Sequence, residues 1–174
     1  MKLKKWLLGL ITFAAMVIIC AVCAGAETYG DFWYNVLDDG TVEISGYNGS
    51  AEKVDIPEKI DGKSVTRIGY DAFKYSRLAS ITIPDSVTNI KEETFSGCIN
   101  LTNVTIPNSV IKIEKKAFVG CSNLTSVIIP DSITEIAQET FSGCTNLTSI
   151  TIPNSVKNIG NSAFKNCTNL TSIT

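Results

Sequence analysis

Residues 101–123 read LTNVTIPNSVIKIEKKAFVGCSN, and the same 23-residue unit starts again at Leu124 and Leu147 and begins once more at Leu170. Residues 78–100, LASITIPDSVTNIKEETFSGCIN, are a further copy. Pro84, Pro107, Pro130 and Pro153 fall 23 positions apart, as do Phe95, Phe118, Phe141 and Phe164, and Cys98, Cys121, Cys144 and Cys167. A fixed period of this length means supersecondary units stacked one on the next, not a globular core built from dissimilar elements.

Within one unit the physics can be read position by position. Leu101, Val104 and Ile106 follow the spacing L-x-x-L-x-L, and the last two alternate with Asn103 and Thr105. This alternation predicts a short strand with Val104 and Ile106 inward and Asn103 and Thr105 outward. Pro107 has no N–H to give a neighbouring strand, so the proline column ends the parallel sheet along that edge. Val110 and Ile113 turn inward on the return path. Ala117 and Phe118 are expected to fill the far side from a tight helical turn, and Gly120 lets the chain bend back. A single coil cannot shut these apolar side chains away from water; only stacking does.

The charges check the register independently. Alignment at 23 residues sets Lys91 beside Glu114, Glu92 beside Lys115, Glu93 beside Lys116, Lys116 beside Glu139 and Lys112 beside Glu135, every pair of opposite sign. Exposed pairs are worth at most ~1 kcal/mol each. Their signs still favour in-register stacking, because like charges directly opposite would oppose it.

Before the regular coils the pattern degrades. Residues 54–77, VDIPEKIDGKSVTRIGYDAFKYSR, keep Pro57, Ile68 and Phe73 in place, carry an insertion from Lys59 to Lys63, and put Ser76 in the cysteine slot. Irregularity of this kind fits a terminal repeat. Residues 27–53 do not repeat, and FWYNVLDDGTVEISGY reads as two strands, Phe32 to Leu37 and Thr41 to Tyr47, around the Asp39-Gly40 turn. A dissimilar hairpin is the lid that an open stack needs over its first layer. The alternative use for Trp33 and Tyr34 is a sugar-binding platform.

The first 26 residues have the layout of a secretory signal: Lys2, Lys4 and Lys5, a nearly continuous apolar run from Trp6 to Val22, and Ala24-Gly25-Ala26 before Glu27. The rival reading is an uncleaved membrane anchor, the chain's one route to a membrane. Without the three signal lysines the 15 basic residues fall to 12 against 17 acidic ones, a net charge of −5. No basic patch remains, which argues against nucleic acid as a partner. The chain has no histidine, so the commonest general base and the commonest metal ligand are both missing. No cofactor is expected.

The repeat LTxxxIPxSVxxIxxxAFxxCxN and the lead-in VLDDGTVEISGYNG resemble the BspA-like leucine-rich repeat family, over nearly all of the chain after residue 26. The resemblance implies a β-rich leucine-rich-repeat solenoid, a right-handed superhelix of 23-residue coils. Parallel strands would line one face and turns or helical turns the other. The domains are then a signal at 1–26, a hairpin cap at 27–53, a degenerate coil at 54–77, regular coils at 78–100, 101–123, 124–146 and 147–169, and a partial coil at 170–174. It further implies a secreted or cell-surface, non-enzymatic protein that binds an extracellular or cell-surface protein, as an adhesin does. The family motif fixes no binding residues.

Four columns invite functional readings. The cysteines form no C-x-x-C after the signal. They are read as buried free thiols, with disulfides the alternative at a spacing of about 5 Å. Asn100, Asn123, Asn146 and Asn169 precede Leu-Thr, which makes glycan sequons, but stacked asparagines satisfying backbone groups is the reading preferred. Asp85 and Asp131 occupy one slot two coils apart, about 9.6 Å at twice the strand spacing, near the carboxylate separation of inverting glycosidases. Asn108 between them and the lack of any other cleft signal make an enzyme the weak alternative. The outward strand face is the candidate binding strip: Ser80, Thr82, Asn103, Thr105, Ser126, Ile128, Ser149 and Thr151, edged by Asp85, Asn108, Asp131 and Asn154. A structural spacer, or a piece of a larger surface protein, is the other alternative. Leu170 and Ile173 lack a following coil, so end-to-end pairing of copies is also expected there.

Overall fold

The structure is a computed structural model, and it describes residues 26–173. The signal reading of residues 1–26 therefore lies outside the described residues except for Ala26. In chain order the strands are β1 (Glu27–Tyr29), β2 (Phe32–Val36), β3 (Val42–Tyr47), β4 (Lys53–Asp55), β5 (Lys59–Ile60), β6 (Lys63–Ile68), β7 (Ser80–Thr82), β8 (Asn89–Ile90), β9 (Asn103–Thr105) and β10 (Lys112–Ile113). They continue as β11 (Ser126–Ile128), β12 (Glu135–Ile136), β13 (Ser149–Thr151), β14 (Asn158–Ile159) and β15 (Ser172–Ile173). Among the described residues there is no helix.

The predicted strand of each coil is present and forms a six-stranded parallel sheet in the order β15-β13-β11-β9-β7-β4. Its register follows the 23-residue period: Ser80 lies opposite Asn103, Asn103 opposite Ser126, and Ser126 opposite Ser149. The return path carries a second parallel ladder, in which β6 pairs β8, β8 pairs β10, and β12 pairs β14. The two-residue strands β8, β10 and β12, each with one buried isoleucine, and β14, whose Ile159 is exposed, give too little alternation to be read from sequence.

The third side of each coil departs from expectation. Ala117 and Phe118 sit in a run of turns, not a helical turn. Lys116 has φ 59° and Gly120 φ 71°, and the same two slots in the other regular coils are also left-handed, at Glu93, Glu139 and Ser162 and at Gly97, Gly143 and Asn166. Two left-handed residues per coil stop a helix from propagating. The backbone instead bonds between coils: Phe95 N–H donates to Ala117 O at 2.8 Å, Phe118 N–H to Thr140 O at 2.9 Å and Phe141 N–H to Ala163 O at 2.9 Å. The glycine slot is also crowded, since a Cβ on Gly143 would stand 3.4 Å from the Cα of Gly120.

Inside, equivalent side chains sit directly above one another. Ring centroids of Phe73, Phe95, Phe118, Phe141 and Phe164 are 5.4, 5.1, 5.5 and 5.7 Å apart in succession, with planes within 21° of parallel. The cap extends this column, because Tyr47 lies 5.3 Å from Phe73 and Phe32 5.4 Å from Tyr47. The cap is a three-stranded antiparallel meander, β1 being added to the expected hairpin of β2 and β3, and it joins the return ladder through parallel pairing of β3 with β6. Tyr34 is buried, and its hydroxyl lies 2.6 Å from a Glu27 oxygen and 2.7 Å from an Asp61 oxygen. The hydrogen bonds to Glu27 and then Asp61 hold its phenol well above the usual tyrosine range. A clamped, buried ring cannot serve as half of a sugar platform.

The charge pairs are realised in part. Lys115 meets Glu92 at 3.1 Å and Lys116 meets Glu93 at 3.8 Å. Lys91 reaches back to Glu43 of the cap at 2.8 Å instead of Glu114, and Lys112 pairs within its own coil with Glu114 at 2.9 Å instead of Glu135. No bridge joins Lys116 to Glu139 among the described residues. Glu93 is held mainly by Lys74 at 2.6 Å, which lowers its carboxyl below the ordinary range.

Candidate functional site

Alternation places the polar residues of β7, β9, β11 and β13 on the outside, and parallel register brings them into rows. Thr82, Asn103, Thr105, Ser126, Ile128, Ser149 and Thr151 are exposed, Ser80 is half-buried, and Asp85, Asn108, Asp131 and Asn154 stand exposed along one edge. The structure thus gathers all the candidate strip residues on one surface. It adds Lys53 and Asp55 of β4, opposite Ser80 and Thr82, and Ser172 of β15, opposite Ser149. Lys53 and Asp55 lie where sequence reading placed a boundary between cap and degenerate coil. Their signal was the alternation Lys53-Val54-Asp55 before Ile56-Pro57, which matches the strand of every later coil.

Two neighbouring columns are consumed by the scaffold. Thr102, Thr125, Thr148 and Thr171 each donate a hydroxyl to a backbone carbonyl of the preceding coil, at 3.1–3.3 Å. The asparagine column forms an amide ladder at its later steps: Asn146 donates to Asn123 at 3.0 Å and Asn169 to Asn146 at 3.3 Å. Among the described residues these amides bond chiefly to one another, and Asn100 alone of the column reaches a backbone group, the carbonyl of Arg77 at 3.4 Å. Asn103, Thr105, Ser126 and Ser149, by contrast, have no side-chain hydrogen bond within the described residues. Their donors and acceptors face solvent unengaged.

The cysteines belong to the interior. All four described thiols are free, and each donates to the carbonyl of the phenylalanine in the coil before: Cys98 to Phe73, Cys121 to Phe95, Cys144 to Phe118 and Cys167 to Phe141, at 3.0–3.3 Å. Burial pushes Cys98 up to about 11 and Cys144 up to about 12, and raises Cys121 and Cys167 as well. A thiol held protonated is neither a nucleophile nor a metal ligand. No group of three or more Cys, Asp or Glu able to hold a metal occurs among the described residues.

Asp85 and Asp131 project from the open edge of the strip, in separate coils. A cavity of about 580 Å³ lies elsewhere, on the return face between β10 and β12, lined by Asn89, Ile111, Lys112, Ile113, Glu114, Lys115, Thr134, Glu135 and Ala137. Neither aspartate borders it.

A family model for the BspA type leucine rich repeat region matches residues 66–174 in 6 copies. The chain belongs to this family. Its BspA-type coils superpose on solved structures. The T. pallidum leucine rich repeat protein is 33% identical with a TM-score of 0.81, over 84% of this chain and 70% of that one. A leucine rich cell surface protein of Faecalibacterium prausnitzii A2-165 is 28% identical with a TM-score of 0.62, over 88% of this chain and 55% of that one. The pneumococcal vaccine antigen PcpA, 24% identical with a TM-score of 0.66 over 86% of this chain and 48% of that one, shares the fold. No curated protein matches the chain. A protein-interaction role is consistent with a leucine-rich-repeat family and fold of this kind.

Proposed function

We propose that this BspA-type chain is a secreted or cell-surface adhesion module, binding an extracellular or cell-surface protein through the strip of β4, β7, β9, β11, β13 and β15. The observation that supports this most is the row of short, exposed polar side chains held in register and left unengaged at Asn103, Thr105, Ser126 and Ser149. Such side chains lose little conformational entropy on binding and offer closely spaced donors and acceptors. Contacts repeated coil after coil add up along the strip, so affinity is spread over several weak rows. The cell-surface description of the F. prausnitzii neighbour supports the location.

The experiment is a binding panel of extracellular-matrix and cell-surface proteins, run with the chain and with a Thr105→Arg/Ser126→Arg/Ser149→Arg variant. Arginines across adjacent rows would cover the strip without touching the interior. The expected result is binding by the parent that falls about tenfold or more in the variant, a loss of about 1.4 kcal/mol, with an unchanged circular dichroism spectrum. Flat signals throughout the panel would favour a structural spacer. Equal binding by both chains would move the contact surface off the strip.

A further inference from the structure

The coil junctions are not alike. Between coils 78–100 and 101–123 the return face is closed by Ile111 N–H to Thr88 O at 2.9 Å and Glu114 N–H to Ile90 O at 2.9 Å, with β8 and β10 paired. Between coils 124–146 and 147–169 the same closure is made by Lys157 N–H to Thr134 O at 2.9 Å and Gly160 N–H to Ile136 O at 2.7 Å, with β12 and β14 paired. Between coils 101–123 and 124–146 none of these bonds exists. Thr134 and Ala137, the residues equivalent to Ile111 and Glu114, send no N–H to the preceding coil, and β10 does not pair with β12. The 580 Å³ cavity occupies this gap.

The other two sides of that junction stay intact. Lys116, Phe118 and Gly120 donate to Gln138, Thr140 and Ser142 at 2.8–2.9 Å, and Phe118 stacks on Phe141 at 5.5 Å. On the strip, Asn103 and Val104 pair with Ser126 and Val127, but pairing stops before Thr105 and Ile128, whereas β7–β9 and β11–β13 each pair at three positions. The side-chain tie nearest the gap is the Ser132 hydroxyl, which donates to Val110 O. The gap on the return face thus spans Thr134 to Ala137, and the Ser132 bond separates it from the shortened pairing at the end of β11.

We infer that the solenoid is hinged at this one junction, opening on its return face and pivoting on the phenylalanine column and the first half of β9–β11. In a linear stack each coil is held only by its neighbours, so the weakest interface divides the chain into two cooperative units. Here those units are residues 27–123 and 124–173. Hinge motion changes the distance from Thr105 to Ile128, that is, the curvature in the middle of the strip. This last consequence, not the hinge itself, rests on the proposed binding role.

Amide hydrogen exchange on the free chain tests the hinge without any partner. Thr134 and Ala137 should exchange about tenfold or more faster than Ile111 and Glu114, their equivalents one coil earlier. Exchange within about threefold of those references would show the ladder closed in solution and overturn the inference. A second arm reads motion: paired spin labels at Ile111→Cys and Thr134→Cys, against a control pair at Thr88→Cys and Ile111→Cys, both in a Cys167→Ser background. The hinge predicts weaker and more widely distributed dipolar broadening for the first pair. Superimposable spectra would overturn it, and the strip could still bind.

Discussion

Replacing Phe118 by alanine is the sharpest test of the stacked interior. The ring is fully buried, with neighbours at 5.1 Å (Phe95) and 5.5 Å (Phe141) whose planes lie within 14° of its own. Phe→Ala at such a site costs about 3–5 kcal/mol from lost transfer energy and the cavity left behind. The backbone roles survive the change, since alanine still donates its N–H to Thr140 and offers its carbonyl to the Cys144 thiol. The loss is therefore the ring's alone. Phe164 gives the internal comparison: it is half-buried and has one ring neighbour, at 5.7 Å. Its alanine variant should cost about half as much, roughly 2 kcal/mol. In a chain of this size 1 kcal/mol moves the melting temperature by about 2–4 °C, so shifts of about 6–20 °C and about 4–8 °C are expected. Urea titrations followed by circular dichroism would give both free energies. Equal costs at the two sites would mean that neither burial nor a second ring neighbour sets the cost, and would refute the stacked interior.

Two further outcomes follow from the same geometry. Under native conditions iodoacetamide should label Cys167, the half-buried member, before Cys98, Cys121 and Cys144, because burial both hides those thiols and keeps them protonated; mass spectrometry showing Cys121 modified as fast as Cys167 would contradict this. The Lys74–Glu93 pair should stabilise the fold in a pH-dependent way. Lys74 lowers the Glu93 carboxyl from its ordinary 4.5, so the stabilisation is fully present above that value and is lost as pH falls through the lowered one. The melting-temperature gap between the parent chain and Glu93→Gln should thus be widest at neutral pH and close in acid; a gap independent of pH would exclude the ion pair as its source.

Much of this architecture was legible because periodicity reports on equivalence. A column such as Phe95, Phe118, Phe141 and Phe164 states that four residues share one environment, and alternation at Val104 and Ile106 states which way a strand faces. What failed had no periodic signature. Left-handed backbone at Glu93, Lys116 and Glu139 is carried by residues with ordinary side chains, so the turn looked like a helical one. The third strand of the cap, Glu27–Tyr29, is too short to alternate. The alternation that builds the sheet also sets which residues share its outer face, so it delimits the candidate strip but ranks no single residue as a contact.

The charge pairs and the hinge share one cause. Sequence alignment treats every junction as identical, and at an ideal junction Lys112 would face Glu135. The rungs that carry those two side chains are the ones that do not pair, so Lys112 turns to Glu114 in its own coil. A repeat sequence encodes the average coil, whereas mechanics and binding depend on how one coil differs from the next. The informative positions are then the ones that break their column: Ile128 in a file of threonines at Thr82, Thr105 and Thr151, and Ile111 between Thr88 and Thr134. Both are largely exposed, at 75% and 62%, and both lie at the junction that opens. Apolar side chains left in water at a loosened junction are where a partner's own apolar residues would gain most by binding.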